Sequence, residues 1–220
     1  MGSVGIVRET SPTAGLAWQA IGIGERLGAA VLLVAISPVI CASALAMSVL
    51  SRRTPLIAHR RVGWYGSTLW VLKLRTMWGN GSSPVHTGSR WIEYIHDDAG
   101  PENKQDSDPR VTNWFARFCR RHSLDELPQL WHVIAGKMSL VGPRPLTATE
   151  LERHYGAAAD EILQVRPGLA GLWQVSGRNR LSYAERRALD LELVRTRSLR
   201  TYLRVLVQTI PEVLRGSNSW

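Results

Sequence analysis

Hydrophobic residues are spread unevenly along this chain, and one block dominates: residues 27–50 run for 24 positions without a charge. At ~1.5 Å per residue such a helix is about 36 Å long, enough to cross a ~30 Å hydrocarbon layer. Ser37-Pro38 falls inside it. A proline there removes a backbone donor and crowds the preceding turn, so the pattern predicts a membrane helix kinked or broken at Ser37 and Pro38. The first arm, residues 27–37, reaches only about 16 Å. Two geometries fit: a kinked spanning helix, or a re-entrant hairpin that enters one leaflet and returns on the same side. The block is longer than the ~7–15-residue apolar core of a cleaved signal, which argues against a signal peptide. Arg52, Arg53, Arg60 and Arg61 follow it and place its downstream end in the cytoplasm.

The remaining pattern is that of a mixed fold. Residues 1–20 are small and polar and read as a loose tail. Residues 56–60 and 68–75 read as short strands around the turn Gly63-Trp64-Tyr65-Gly66. The stretch 78–110, rich in Gly, Ser, Asp and Pro, reads as a loop with one short helix near 91–96. A helix over 111–118 would carry Trp114, Phe115 and Phe118 on one face. Another, over 124–135, would present Leu127, Leu130, Trp131 and Ile134 as a core stripe. Within 190–214, Leu199, Tyr202, Leu203, Leu206 and Ile210 recur at helical spacing with Arg197, Arg200 and Arg204 interleaved. That pattern fits either core packing or an amphipathic helix lying on an anionic membrane surface.

Charge adds a partner class. Lys and Arg number 27 against 18 Asp and Glu, a net charge of +9, which suits a polyanion: nucleic acid, an anionic membrane face or a phosphorylated substrate. Cys41 and Cys119 have no paired spacing and the six histidines no ligand pattern, so neither a disulfide framework nor a zinc site is indicated. No glycine-rich phosphate loop of the Gly-Lys-Ser/Thr type occurs.

Candidate chemistry concentrates in Arg120-Arg121-His122-Ser123-Leu124-Asp125-Glu126-Leu127-Pro128-Gln129-Leu130, followed by Gly142-Pro143-Arg144-Pro145-Leu146. Adjacent carboxylates among arginines are what a site needs if it makes a nucleophile or holds a metal while binding phosphate. The structural alternative is a capping box, Ser123 with Glu126, with Asp125 favouring the start of the helix.

Further blocks join these: Arg61-Val62-Gly63, Lys73-Leu74-Arg75-Thr76-Met77, Asp108-Pro109-Arg110-Val111-Thr112, Met138-Ser139-Leu140-Val141-Gly142, Arg166-Pro167-Gly168-Leu169 and Gly171-Leu172-Trp173-Gln174-Val175-Ser176-Gly177-Arg178-Asn179. In order and spacing, over about 160 residues, they resemble the catalytic core of the bacterial sugar transferases, the monotopic polyprenyl-phosphate phosphoglycosyl transferases. The resemblance implies transfer of a sugar 1-phosphate from a nucleotide (UDP) diphospho-sugar to undecaprenyl phosphate, an activity of the EC 2.7.8 type, initiating assembly of a lipid-linked glycan. By the same resemblance Asp125 is the nucleophile that forms a covalent phospho-sugar. Glu126 takes a proton from the acceptor or helps hold Mg2+, with Asp125 as the other metal-binding carboxylate. Arg120 and Arg144 bind phosphate, and Arg166, Gln174, Arg178 and Asn179 are candidates for the nucleotide-sugar pocket. Tyr202 stands where relatives often carry aspartate, and the loop over 79–104 departs from the family's charged helical pattern.

The expected architecture is an α/β, helix-rich, membrane-associated domain: a flexible tail over 1–20, a re-entrant Ser-Pro-broken helix over 21–52, and a catalytic domain over 53–220 ending in an amphipathic interfacial helix. The expected setting is the cytoplasmic face of the bacterial inner membrane, with anionic lipids and no nucleic acid as partners. Two rivals remain at this level. One is a single-displacement phosphotransferase whose dyad only binds metal; the other is a non-enzymatic, membrane-tethered basic binding module.

Overall fold

The computed structural model describes residues 12–77, 91–96, 111, 113–177 and 180–216. The first element, α1, is a 40-residue helix, Pro12–Ser51. It begins inside the stretch read as a tail: Pro12 suits a first helical position, where its missing N–H costs nothing. Residues 1–11 lie outside the described residues.

The expected break at Ser37 and Pro38 does not interrupt α1, which stays helical through both residues. Pro38 cannot donate to the carbonyl one turn back, that of Val34. The Ser37 hydroxyl donates to that Val34 oxygen instead, at 2.8 Å, so the acceptor is satisfied within apolar surroundings.

The side chains of Glu25, Ala29, Ser43 and Met47 are buried, with Trp18, Ile21, Leu33, Ile36 and Ile40 half-buried between and beside them. These positions recur every three or four residues, one helical stripe that continues past Pro38 without losing phase. The opposite side exposes Ile23, Leu27, Val31, Val34, Leu45 and Val49. Alone among the described residues, α1 contains a stretch long and apolar enough to cross a membrane.

A three-stranded sheet follows, with β1 Leu56–Val62 central, β2 Thr68–Leu74 antiparallel to it and β3 Ile92–Ile95 parallel to it. The helix expected over 91–96 is thus a strand: Leu56 pairs with Ile92 and His59 with Ile95. Backbone pairing across the edge of β1 outweighs a weak local preference. A second, two-stranded parallel sheet joins β4 Ser139–Val141 to β5 Gly168–Ala170.

The helices are α2 Trp114–Arg121, α3 Leu130–Ile134, α4 Ala148–Glu150 continuing as a π-turn over Leu151–Tyr155, α5 Ala158–Ile162, α6 Leu172–Ser176, α7 Tyr183–Arg195 and α8 Leu199–Arg215. The helix expected over 111–118 is shifted to α2 because Asn113 caps it, its side-chain oxygen accepting from the Phe115 N–H. The pattern within 190–214 divides into α7 and α8, since Ser198 caps a new helix by accepting from the Thr201 N–H.

Three of the apolar clusters include α1. Ala29 packs with Leu69, Val71, Leu130, Val133 and Met138. Trp18 and Ile21 cover Val141, Tyr202 and Val205. Met47 packs with Val111, Ala116 and Cys119. The α8 pattern resolves into both of its readings. Tyr202 and Val205 are buried, whereas Leu199, Leu203, Val207, Ile210 and Leu214 form a stripe at least 50 % exposed.

Candidate active site

The expected helix over 124–135 is instead a six-residue 3-10 turn, Leu124–Gln129, running into the short α3. Pro128, lacking an N–H, sits where an α-helix would need its donor. Ser123 enters the turn at φ +55° and makes no side-chain cap. The capping box offered as the structural alternative is therefore not formed, and the Glu126 carboxylate points elsewhere. Its Oε1 accepts from Lys73 Nζ at 2.8 Å and from Arg144 Nη2 at 3.1 Å.

Three separate elements build this cluster. Lys73 leaves β2 on the face opposite the buried Leu74, as strand alternation requires. Glu126 comes from the 3-10 turn, and Arg144 from the loop that leaves β4. The charged side chains are 16–25 % exposed, so water screens them little. Burial, the largest influence, pulls the Lys73 ammonium below its ordinary range against the attraction of Glu126; Arg144 adds to the lowering and Asp125 opposes it. Glu126 first, against burial, pushes the Arg144 guanidinium above its usual value.

Asp125 is 5 % exposed beside this cluster. It is near enough to reinforce the effect of burial on the Cys119 thiol, which is pushed up to about 11. A thiol so shifted is inert at neutral pH. Arg120 is also 5 % exposed, in the last turn of α2, and its carbonyl accepts from the Ser123 N–H at 3.2 Å. The chain thus passes from Arg120 to the dyad in one turn.

Of the four residues expected at the nucleotide-sugar pocket, Arg166 and Gln174 fall among the described residues. Arg178 and Asn179 lie outside them. Gln174 Nε2 donates to the Leu169 carbonyl oxygen at 3.3 Å. The Arg166 guanidinium packs over the Trp64 ring, 4.5 Å from its centroid, with no ion pair to the dyad.

Two features escaped the sequence reading. Lys73 sits in a strand pattern where a lysine looks like a solvated face; only the cross-element pairing with Glu126 distinguishes it. Asp190 is fully buried in α7 and accepts from the Tyr155 hydroxyl at 2.9 Å. Burial pushes its carboxyl up to about 7, while the Tyr155 bond, Arg144, Trp173 and Arg186 act in the opposite direction. Arg186 lies over the rings of Trp173 and Tyr183. A lone aspartate in a charged helix gives no sign of burial, and Tyr155, which donates to it, comes from a segment 35 residues away.

A metal has two carboxylates here. No group of three or more His, Cys, Asp or Glu suited to a metal occurs among the described residues. Asp125 and Glu126 match the one or two carboxylates that Mg2+ ordinarily takes from protein, with phosphate oxygens and water completing the shell. Lys73 and Arg144 already share one Glu126 oxygen, so a metal at Glu126 would share that carboxylate with both.

The family model for bacterial sugar transferases matches residues 21–216. The exopolysaccharide production protein ExoY of Sinorhizobium fredii is 44 % identical over 162 residues, 74 % of this chain and 71 % of that protein. The UDP-glucose:undecaprenyl-phosphate glucose-1-phosphate transferase of Caulobacter vibrioides is 36 % identical over 206 residues, 89 % of this chain and 70 % of its own length. A UDP-galactose-lipid carrier transferase of Erwinia amylovora is 40 % identical over 166 residues, 76 % of this chain but 34 % of that longer protein. With Lys73 and Arg144, from two of the expected motifs, meeting at Glu126, and similarity running from α1 to α8, this chain is an enzyme of the transferase class and belongs to the bacterial sugar transferase family.

Proposed function

We propose that the enzyme transfers a sugar 1-phosphate from a UDP-sugar to undecaprenyl phosphate through a covalent intermediate on Asp125, and so starts a lipid-linked glycan of the exopolysaccharide type. The observation that carries the reading is the placement of buried Asp125 beside a Glu126 that is held by both Lys73 and Arg144. Names of relatives add the substrates: UDP-glucose and undecaprenyl phosphate in the Caulobacter protein, and galactose with a lipid carrier in the Erwinia protein.

The chemistry runs in two displacements. An Asp125 carboxylate oxygen attacks the sugar-bearing phosphorus; the bond from that phosphorus to the bridging oxygen breaks, and UMP leaves. Splitting the transfer this way lets donor and acceptor use the same site in turn. An oxygen of undecaprenyl phosphate then attacks the same phosphorus and frees the Asp125 carboxylate. Glu126 receives any proton the acceptor still carries. Lys73 and Arg144 offset the charge that gathers on the phosphoryl oxygens, and Arg144 and Arg120 supply the flat fork that fits phosphate. Mg2+ held by Asp125 or Glu126 would neutralise the donor's diphosphate. Gln174, Arg178 and Asn179 are the proposed contacts for the nucleotide sugar; Arg166, expected with them, lies over Trp64 and lines the cleft at Trp18, where we give it another role.

We read α1 as re-entrant, on the cytoplasmic face of the inner membrane. Contacts on both sides of Pro38 support this. Glu25 accepts from Ser139, from the Leu140 N–H and from the Tyr202 hydroxyl, while Met47, beyond Pro38, is buried against Val111 and Cys119. A spanning helix could not return both flanks to one folded body on one side of a bilayer.

The test is a quenched reaction without the lipid acceptor. One equivalent of UMP should appear and then stop, with the sugar phosphate found on the peptide containing Asp125; Asp125→Asn should abolish both. An adduct on another residue defeats the assignment. No adduct and no acceptor-independent UMP would favour direct displacement by the acceptor.

A further inference from the structure

A second basic cleft lies beside α1, lined by Trp18, Gly142, Pro143, Arg166, Arg197 and Thr201 among others. Two guanidinium groups face it, and each is backed by a tryptophan. Arg197 stands 3.9 Å from the Trp18 ring centroid and Arg166 4.5 Å from that of Trp64. Neither arginine has a hydrogen bond or an ion pair among the described residues, and Arg166 Nε is buried without a partner. Arg166 is near enough to disfavour charge on Arg197, although burial is the larger influence and Glu25 opposes both. Glu25 supplies counter-charge to Arg197, but its hydrogen bonds go elsewhere, Oε1 accepting from Ser139, from the Leu140 N–H and from the Tyr202 hydroxyl. Two guanidinium groups without hydrogen-bond acceptors among the described residues suit an anion with several acceptor oxygens.

The surroundings indicate where that anion comes from. The cleft is lined by Trp18, ahead of the uncharged block of α1, and by Ser198 and Thr201 at the start of α8, where the exposed stripe begins at Leu199 and Leu203. Tryptophan and arginine at the edge of an apolar surface mark headgroup depth.

We propose that this cleft is a phospholipid site: Arg166 and Arg197 clamp the phosphodiester of an anionic lipid such as phosphatidylglycerol, and its acyl chains run along the exposed faces of α1 and α8. The inference requires only that α1 lies in a membrane, so it stands or falls independently of chemistry at Asp125.

The full chain, purified in detergent, is tested by flotation with phosphatidylcholine vesicles containing phosphatidylglycerol, and with vesicles of equal charge supplied by a carboxylate amphiphile. Binding should favour the phosphatidylglycerol vesicles by roughly tenfold, the scale of one added hydrogen bond to a charged group. Arg166→Gln/Arg197→Gln should remove that preference, whereas Arg200→Gln/Arg204→Gln, removing equal charge from α8, should weaken both vesicle types alike. Arg197→Lys keeps the charge but loses the flat fork over Trp18; it should lose most of the preference while retaining the wild-type melting temperature, and it serves alone if the double variant does not fold. Equal binding to the two vesicle types would overturn the proposal, as would equal loss in the two double variants. Displacement of phosphatidylglycerol by inorganic phosphate would assign the cleft to a soluble anion, and displacement by undecaprenyl phosphate would assign it to the acceptor; either result also overturns it.

Discussion

Gly142 and Gly168 lie back to back, so close that a Cβ on Gly168 would come within 2.1 Å of the Gly142 nitrogen. The contact sits where β4 gives way to the Arg144 loop, and the Gly168 N–H donates to the Pro143 carbonyl oxygen at 2.8 Å. The atoms that would clash are backbone, which cannot swing aside as a side chain would. Gly168→Ala should therefore force β4 and β5 apart, lowering stability by about 1–3 kcal/mol and turnover as well, because Arg144 moves with the loop. Thermal unfolding and UMP release measured on one preparation check this. Unchanged values for both would show that the strands part without cost.

Lys73 should matter to catalysis more than to folding. Lys73→Met removes one of the two cations on the Glu126 oxygen, leaving Arg144 to hold it. Turnover should fall about 10²-fold, the usual scale for loss of one donor in a preorganised site, with the melting temperature close to wild type. A variant that retains most of its turnover would make the Lys73–Glu126 pair a structural tie.

Arg144→Lys tests geometry at constant charge. An ammonium cannot present a two-pronged fork to phosphate and to Glu126 together. Steady-state turnover should drop by at least about tenfold while circular dichroism shows a folded protein. Near-normal turnover would reduce Arg144 to a surface charge.

Topology is open to a labelling experiment. In a background of Cys41→Ser and Cys119→Ser, Gln19→Cys should resist membrane-impermeant thiol reagents in intact cells if α1 is re-entrant. Pro38→Ala restores the missing donor and should raise periplasmic labelling. Strong labelling of Gln19→Cys with Pro38 in place would establish a spanning helix.

His132 gives a pH signature. It is 6 % exposed, and its Nε2 accepts from the Leu72 N–H at 3.1 Å. Burial first, with Lys137 adding, pulls it from 6.5 down to about 4. A folded pKa below the unfolded one means that the stabilisation is present above about 6.5 and is lost as pH falls towards 4. Asp190 acts in the opposite sense: with its folded carboxyl at about 7, its burial penalty is relieved over the same descent. The two partly cancel in the native protein. Urea unfolding of His132→Gln between pH 7 and pH 4 should therefore show stability holding or rising on acidification, unlike the wild type, and identical pH slopes in the two proteins would contradict the His132 assignment.

Much of the site was written in local order. Asp125 and Glu126 are adjacent, Arg120 is one turn away, and Arg144 lies in a Pro-Arg-Pro turn, so the motifs identified them without a structure. The apolar block likewise announced α1, because its signal is composition over many residues. Composition could not say which side of α1 faces the protein, since an all-apolar helix has no polar face to orient it; the stripe from Trp18 to Met47 exists only against the packed body. Nor could it foresee continuity through Pro38, which depends on one hydroxyl reaching one carbonyl. The strand at Ile92–Ile95 required β1 as a template. The role of Ser123 turned on a left-handed backbone angle, and that of Lys73 on a partner 53 residues away. Sequence determined which groups are fit for the proposed chemistry, because residue type fixes charge and nucleophilicity. Tertiary structure decided which of them meet, because burial and pairing depend on segments that only folding brings together.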